Sequence, residues 1–202
     1  MASIILVRHA TSVNNEEKRW NSEPEKDRGL SVKGKMQAER LAKKLEKEEL
    51  EAIYSSPFPR CLQTAKAVNE FHGLQIIVED RLREISKGAA DGLTKEEALK
   101  KFGAEYAAYR RDRLNKSVGG GETYAQVIKR VTPFLEQVAR KHCGKVLAVT
   151  HEAVIQAALA ALFDYSYVEK DAPVPQATIT RVKLDAKPVL ELFADDSHLR
   201  PK

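Results

Sequence analysis

Three apolar runs constrain this chain most: residues 3–7 (SIILV), 52–55 (AIYS) and 146–149 (VLAV). Each is only four or five residues long, and each stops at polar residues. Short runs without polar alternation read as strands buried on both faces, as in a parallel sheet. A further strand is predicted at residues 74–78, and two more at 177–184 and 189–193. Between them lie segments with helical spacing. Residues 31–48 place Met36, Ala38, Leu41, Ala42 and Leu45 along one stripe. Ser56 reads as an N-cap and Pro57 as the first position of a helix running through residue 71, which Gly73 ends. Residues 94–113 read as a helix interrupted near Gly103. A long helix covers 122–142, with Pro133 kinking or restarting it, and an apolar one covers 153–163. Residues 81–92 look irregular. Strands alternating with amphipathic helices predict a single three-layer α/β domain over residues 1–202, mostly parallel in its sheet, with helices on both faces. A chain of 202 residues suffices for one such core and shows no seam.

Several function classes are disfavoured at this stage. The net charge of +5 invites a nucleic-acid reading, but the basic residues alternate with acidic ones, as on solvated helix faces. No nucleic-acid partner is expected. No apolar run approaches the ~18–20 residues that span a bilayer, and the first residues lack the basic region of a secretion signal, so a cytoplasmic protein without a membrane partner is expected. Cys61 and Cys143 lack CxxC spacing and read as two thiols. No histidine sits in a metal-ligand spacing, and His72, His142 and His198 read as structural or solvated. No metal or cofactor is expected.

In a parallel sheet, ligands sit beyond the carboxyl ends of the strands. Arg8 and His9 fall there after the first strand, Arg60 just after the second, and His151 after residues 146–149. Two guanidinium forks match phosphate oxygens, and two imidazoles supply a nucleophile and a donor. Helices opening near Arg60 and near His151 add N-terminal amides. The convergence predicts an anion pocket. Gly119, Gly120 and Gly121 lack the Lys-Ser/Thr of a phosphate loop and read as a hinge or a helix-entry loop.

These residues also carry a resemblance. LVRHATSVNN (6–15), YSSPFPRCLQTA (54–65), LREI (82–85) and VTHEAV (149–154) follow one another as in the histidine phosphatase superfamily, also called phosphoglycerate mutase-like. The similarity runs from Ser3 to the terminal DDSHL. It implies His9 as nucleophile, Arg8, Arg60 and His151 as phosphoryl ligands, Glu84 as the acid, and Asn15 as a phosphate contact, with Asn14 equally open. It implies a metal-independent phosphatase that hydrolyses small phosphate monoesters through a phosphohistidine at His9, with Glu84 as acid and base and a bell-shaped pH profile. Two alternatives stay open: phosphoryl transfer of the phosphoglycerate mutase type, against which the compact chain argues, and a non-catalytic module that binds a phosphorylated ligand. Ala10, Thr11, Ala89, Ala90, Asp91 and Gln176 depart from the family pattern, and so does Glu152, expected to point away from the pocket. Arg110, Arg111 and Arg113 are expected to line the entrance. A small phosphorylated metabolite is the expected partner; monomer and homodimer both stay open.

Overall fold

In the computed structural model, which describes residues 2–200, six strands form one sheet: β1 (Ser3–Arg8), β2 (Leu50–Ser55), β3 (Ile76–Val78), β4 (Lys145–Thr150), β5 (Ile179–Lys183) and β6 (Val189–Asp195). Their order is β3-β2-β4-β1-β5-β6. β1, β2, β3 and β4 are parallel, and β5 and β6 add an antiparallel edge. The helices are α1 (Val13–Glu16), α2 (Val32–Leu45), α3 (Pro59–Asn69), α4 (Lys95–Arg111), α5 (Tyr124–Lys141), α6 (Glu152–Leu162) and α7 (Ser166–Glu169).

The strand alternation explains the layers. Ile4, Leu6, Tyr54, Val146 and Ala148 join a core with residues of α5 and α6. Ile5, Val7, Ile53, Leu147 and Val149 face the opposite way, onto Leu41, Leu45, Cys61 and Val68 of α2 and α3. Side chains alternate across a strand, so an apolar residue at every position requires a helical layer on each face. The expected three-layer α/β architecture is thereby realised. Register then fixes the chemistry: Arg8 pairs with Thr150, so the next residues, His9 and His151, leave the sheet side by side.

Several boundaries differ from expectation for local reasons. The helix after β2 opens at Pro59 with Phe58 as its cap, and Ser56 is not the N-cap, because its hydroxyl is engaged by His151. β3 starts at Ile76, since the Asn69 side chain accepts from the Leu74 N–H at 2.8 Å and donates to its carbonyl at 2.7 Å. α4 continues through Gly103, with its kink at Phe102 (φ −125°, ψ 30°). α5 opens at Tyr124 behind a Thr123/Gln126 capping box and runs on through Pro133. The four-residue helices α1 and α7 are too short to show a helical period. Neither cysteine is in a disulfide. Among the described residues, no helix is long and apolar enough to cross a membrane.

Candidate active site

The carboxyl ends of β1, β2 and β4 open into a cavity of about 280 Å³, with Arg8, His9 and Arg60 in its walls and the buried His151 against Arg60 behind them. Backbone bonds lock the three strand ends together: the His9 N–H donates to the Thr150 carbonyl at 2.9 Å, and the Ser56 N–H to that of Val149 at 3.0 Å. The His9 and His151 rings meet edge to face, 5.2 Å apart.

Arg60 organises the floor. It is 3% exposed, and all three nitrogens of its head have partners. Nε donates to His9 Nε2 at 3.1 Å. Nη1 donates to Asn21 Oδ1 at 2.6 Å and to Asp27 Oδ2 at 3.2 Å. Nη2 donates to the Asn21 carbonyl at 3.0 Å and to His151 Nδ1 at 3.0 Å. Asp27 also accepts from the Arg60 backbone N–H at 3.1 Å. The start of α3 therefore already carries an anion, the carboxylate of Asp27, which the helix dipole favours.

Donor and acceptor accounting then sets both histidines. A guanidinium only donates, so His9 Nε2 holds a lone pair, and its proton is on Nδ1, donated to the Ala10 carbonyl at 2.8 Å. By the same logic His151 Nδ1 accepts from Arg60, and Nε2–H points at Ser56 Oγ, 2.9 Å away. Burial lowers the pKa of His9 well below that of an ordinary imidazole, and Arg60 and Arg8 lower it further against the opposing Ala10 bond. His151 is shifted the same way by burial, then by Arg60, His9 and Arg8. Both shifts favour the neutral rings.

Glu84 approaches from a loop after β3. Its Oε2 lies 3.5 Å from His151 Nδ1 and 3.8 Å from Arg60 Nη2. Thr150 Oγ1 donates to the Leu82 carbonyl at 2.7 Å, and Arg130 donates to the carbonyls of Arg81 and Arg83, so the loop is pinned to β4 and α5. The triple glycine is the helix-entry loop that packs on this segment, and it clamps rather than hinges. A Cβ at Gly119 or Gly121 would overlap the backbone of residues 86–90, and the Ala89 N–H donates to the Gly119 carbonyl at 2.8 Å.

Arg8, His9, Arg60, His151 and Glu84 thus converge as expected, while the expected placements of Glu152 and Arg111 are corrected. Glu152 does not point away: it forms an ion pair with Arg8 Nη1 at 3.1 Å and accepts from the Val174 N–H at 3.2 Å, because the helix start turns its side chain onto the neighbouring strand end. Arg8 Nη1 also donates to the Val174 carbonyl at 2.5 Å. Asn15 lines the cavity, but its Oδ1 accepts from the Ser12 N–H and hydroxyl as the N3 residue of a capping box. Asn14 lines it too, and its Oδ1 holds the Arg28 N–H at 3.2 Å. Arg110 and Arg113 reach the mouth and both pair with Asp171, whereas Arg111 is exposed and outside the lining. Sequence reasoning missed Asn21, Asp27 and the role of Ser56. A DRG turn is the only local signal at Asp27, and it reads as loop geometry. Among the described residues, no group of three or more His, Cys, Asp or Glu is placed to hold a metal ion.

The sequence and the fold are shared with known proteins. The sequence model of the histidine phosphatase superfamily (branch 1) matches residues 4–196. Phosphoserine phosphatase 1 of Hydrogenobacter thermophilus is 37% identical over 163 residues, 80% of this chain and 76% of that one. A metal-independent phosphoserine phosphatase of Arabidopsis thaliana is 32% identical over 204 residues, 98% of this chain and 84% of its own length. The solved structure of Bacillus stearothermophilus YhfR superimposes with a TM-score of 0.90 at 28% identity, covering 99% of this chain and all of that one. With the strand-end histidines, the buried arginine and the matched sequence in one arrangement, the chain belongs to branch 1 of the histidine phosphatase superfamily, as an enzyme that hydrolyses phosphate monoesters.

Proposed function

We propose that the protein hydrolyses small phosphate monoesters without a metal, passing the phosphoryl group first to His9 and then to water. The observation that carries this reading is the state of His9. Its Nδ1–H is spent on the Ala10 carbonyl, which leaves the Nε2 lone pair facing the arginine that would bind the phosphoryl group. That lone pair attacks phosphorus; the N–P bond forms as the ester P–O bond breaks, and the leaving oxygen takes the proton of the Glu84 carboxyl. Water then gives a proton to the ionised Glu84 while its oxygen bonds to phosphorus. The N–P bond breaks, phosphate leaves, and His9 and Glu84 are restored. As His9 Nε2 turns to phosphorus, the Arg60 Nε–H that it held is released to donate, with Arg8, to the equatorial oxygens where charge accumulates, while His151 holds Arg60 through Nδ1. Two relatives bearing the name phosphoserine phosphatase, one of them called metal-independent, and the small cavity support a small substrate.

The test is phosphate release from a panel of small esters in excess EDTA. Turnover is expected to survive EDTA and to fall at least ~1000-fold in a folded His9→Ala variant, with an acid-labile phosphoryl adduct trapped on the wild-type protein only. Full activity in His9→Ala, or its loss in EDTA, overturns the reading.

A further inference from the structure

The cations around the cavity differ in one respect. Arg8 pairs with Glu152, Arg19 with Glu97, Arg60 with Asp27, and Arg110 and Arg113 share Asp171. Lys87, the remaining lining cation, has no carboxylate within ion-pair distance among the described residues. Its ammonium lies 5.2 Å over the Trp20 ring and 5.8 Å over that of Tyr109. Trp20 itself stacks on Tyr106, with centroids 6.3 Å apart and planes at 16°. Aromatic faces orient an ammonium but do not neutralise it.

The lysine is also fixed at its base. Its N–H donates to Ser22 Oγ at 2.9 Å, and Ser22 is held by Asp91 through both its N–H and its hydroxyl. Asn21, the residue before Ser22, holds the Arg60 head. The segment that presents Lys87 is thus tied to the segment that orients the phosphoryl ligand, three residues after Glu84 and against the glycine clamp. A half-buried lysine on a clamped loop, with no acid set against it, is arranged for an anion that arrives with the substrate.

We infer that Lys87, oriented by Trp20 and Tyr109, is a second anion subsite that reads a negative group on the alcohol part of the ester. The substrate class is a small phosphate monoester bearing a carboxylate or a second phosphate. Tyr106 and Trp20 offer apolar faces to the carbon skeleton between the two charges. This assignment rests on the reading of the cavity as a phosphatase site.

Glycerol 3-phosphate and 3-phosphoglycerate differ at one position, a hydroxymethyl in the first and a carboxylate in the second, and propane-1,3-diol bisphosphate supplies a second phosphate. The quantity to measure is the ratio of kcat/KM for each ester with a second anionic group to that for glycerol 3-phosphate. Lys87→Ala is expected to lower the ratio about tenfold for the group that is read, through a higher KM, and Lys87→Arg to restore most of it. Whichever ester shows the larger dependence on Lys87 identifies the group. A ratio unmoved by Lys87→Ala for both esters overturns the subsite and leaves the phosphatase reading standing. Thermal stabilisation by the same three ligands, compared between His9→Ala and His9→Ala with Lys87→Ala, reads the subsite without turnover. If no ester is hydrolysed while that difference still depends on Lys87, the phosphatase reading falls and the subsite stands.

Discussion

The floor and the mouth of this cavity are built from different material. At the floor, His9, Arg60 and His151 are buried and come from strand ends and the first turn of a helix, each held by several bonds to residues far away in sequence. At the mouth, Trp20, Lys87, Tyr106, Tyr109 and Arg110 are half-buried or exposed and come from loops and from α4. In the proposed reaction the floor holds the transition-state ligands, where misplacement is costly; the mouth, apart from Tyr109, which packs against the core, holds side chains whose exchange leaves the core untouched.

The contrast can be broken most severely at Asp27. Asp27→Ala strips a counter-ion from the buried Arg60 and is expected to destabilise the fold by about 3–5 kcal/mol and to lower kcat/KM on the order of 100-fold. Urea denaturation and steady-state kinetics check this, and an unchanged midpoint would mean that Arg60 does not depend on its cradle. Next comes Ser56→Ala, which leaves the buried His151 Nε2–H without its acceptor. A cost of about 1–3 kcal/mol corresponds to roughly ten- to a hundredfold in kcat/KM, with Ser56→Thr restoring the hydroxyl and the rate.

A smaller effect reads both floor histidines through pH. Their folded pKa values lie well below the ordinary ~6.5, so the unfolded chain takes up protons first as pH falls. Their contribution is fully present above about pH 6.5 and is lost below it, by up to about 1.4 kcal/mol per pH unit for each histidine. Denaturation curves at pH 7 and 5.5 should show the drop, and His151→Asn should make it shallower.

At the rim, Glu152→Gln removes a competitor for Arg8 and is expected to tighten vanadate binding about threefold; weaker binding would show instead that Glu152 holds Arg8 in place. The mildest change is Arg110→Ala, which breaks an exposed pair with Asp171 and should move stability and KM by less than about twofold in equilibrium terms.

What could be read in advance follows the same division. His9 and His151 were legible because a strand's end is a local property, marked by where the apolar run stops. Glu84 was legible only through resemblance, because nothing in LREI shows which acid turns inward. Asn15 shows what resemblance leaves out: its side-chain oxygen closes the cap on Ser12, since an asparagine at N3 of a short helix can reach back to the cap, and a phosphate contact would fall to its amide nitrogen. Glu152 was expected to face away because a carboxylate beside a phosphate site is unfavourable in isolation. The neighbouring strand places Arg8 within 3.1 Å and removes that objection.

The amino-acid sequence by itself determined the layers and the row of functional groups at the sheet's edge. Apolar periodicity and strand length act over a few residues and dictate which faces are buried. The tertiary structure alone decided which partner each group has. Asp27 meets Arg60 across 33 residues of chain, and Ser56 meets His151 across 95, distances over which no local pattern carries information. Lys87 is distinguished by having no carboxylate within ion-pair distance among the described residues, and such a property exists only once every other charge in the cavity has been placed.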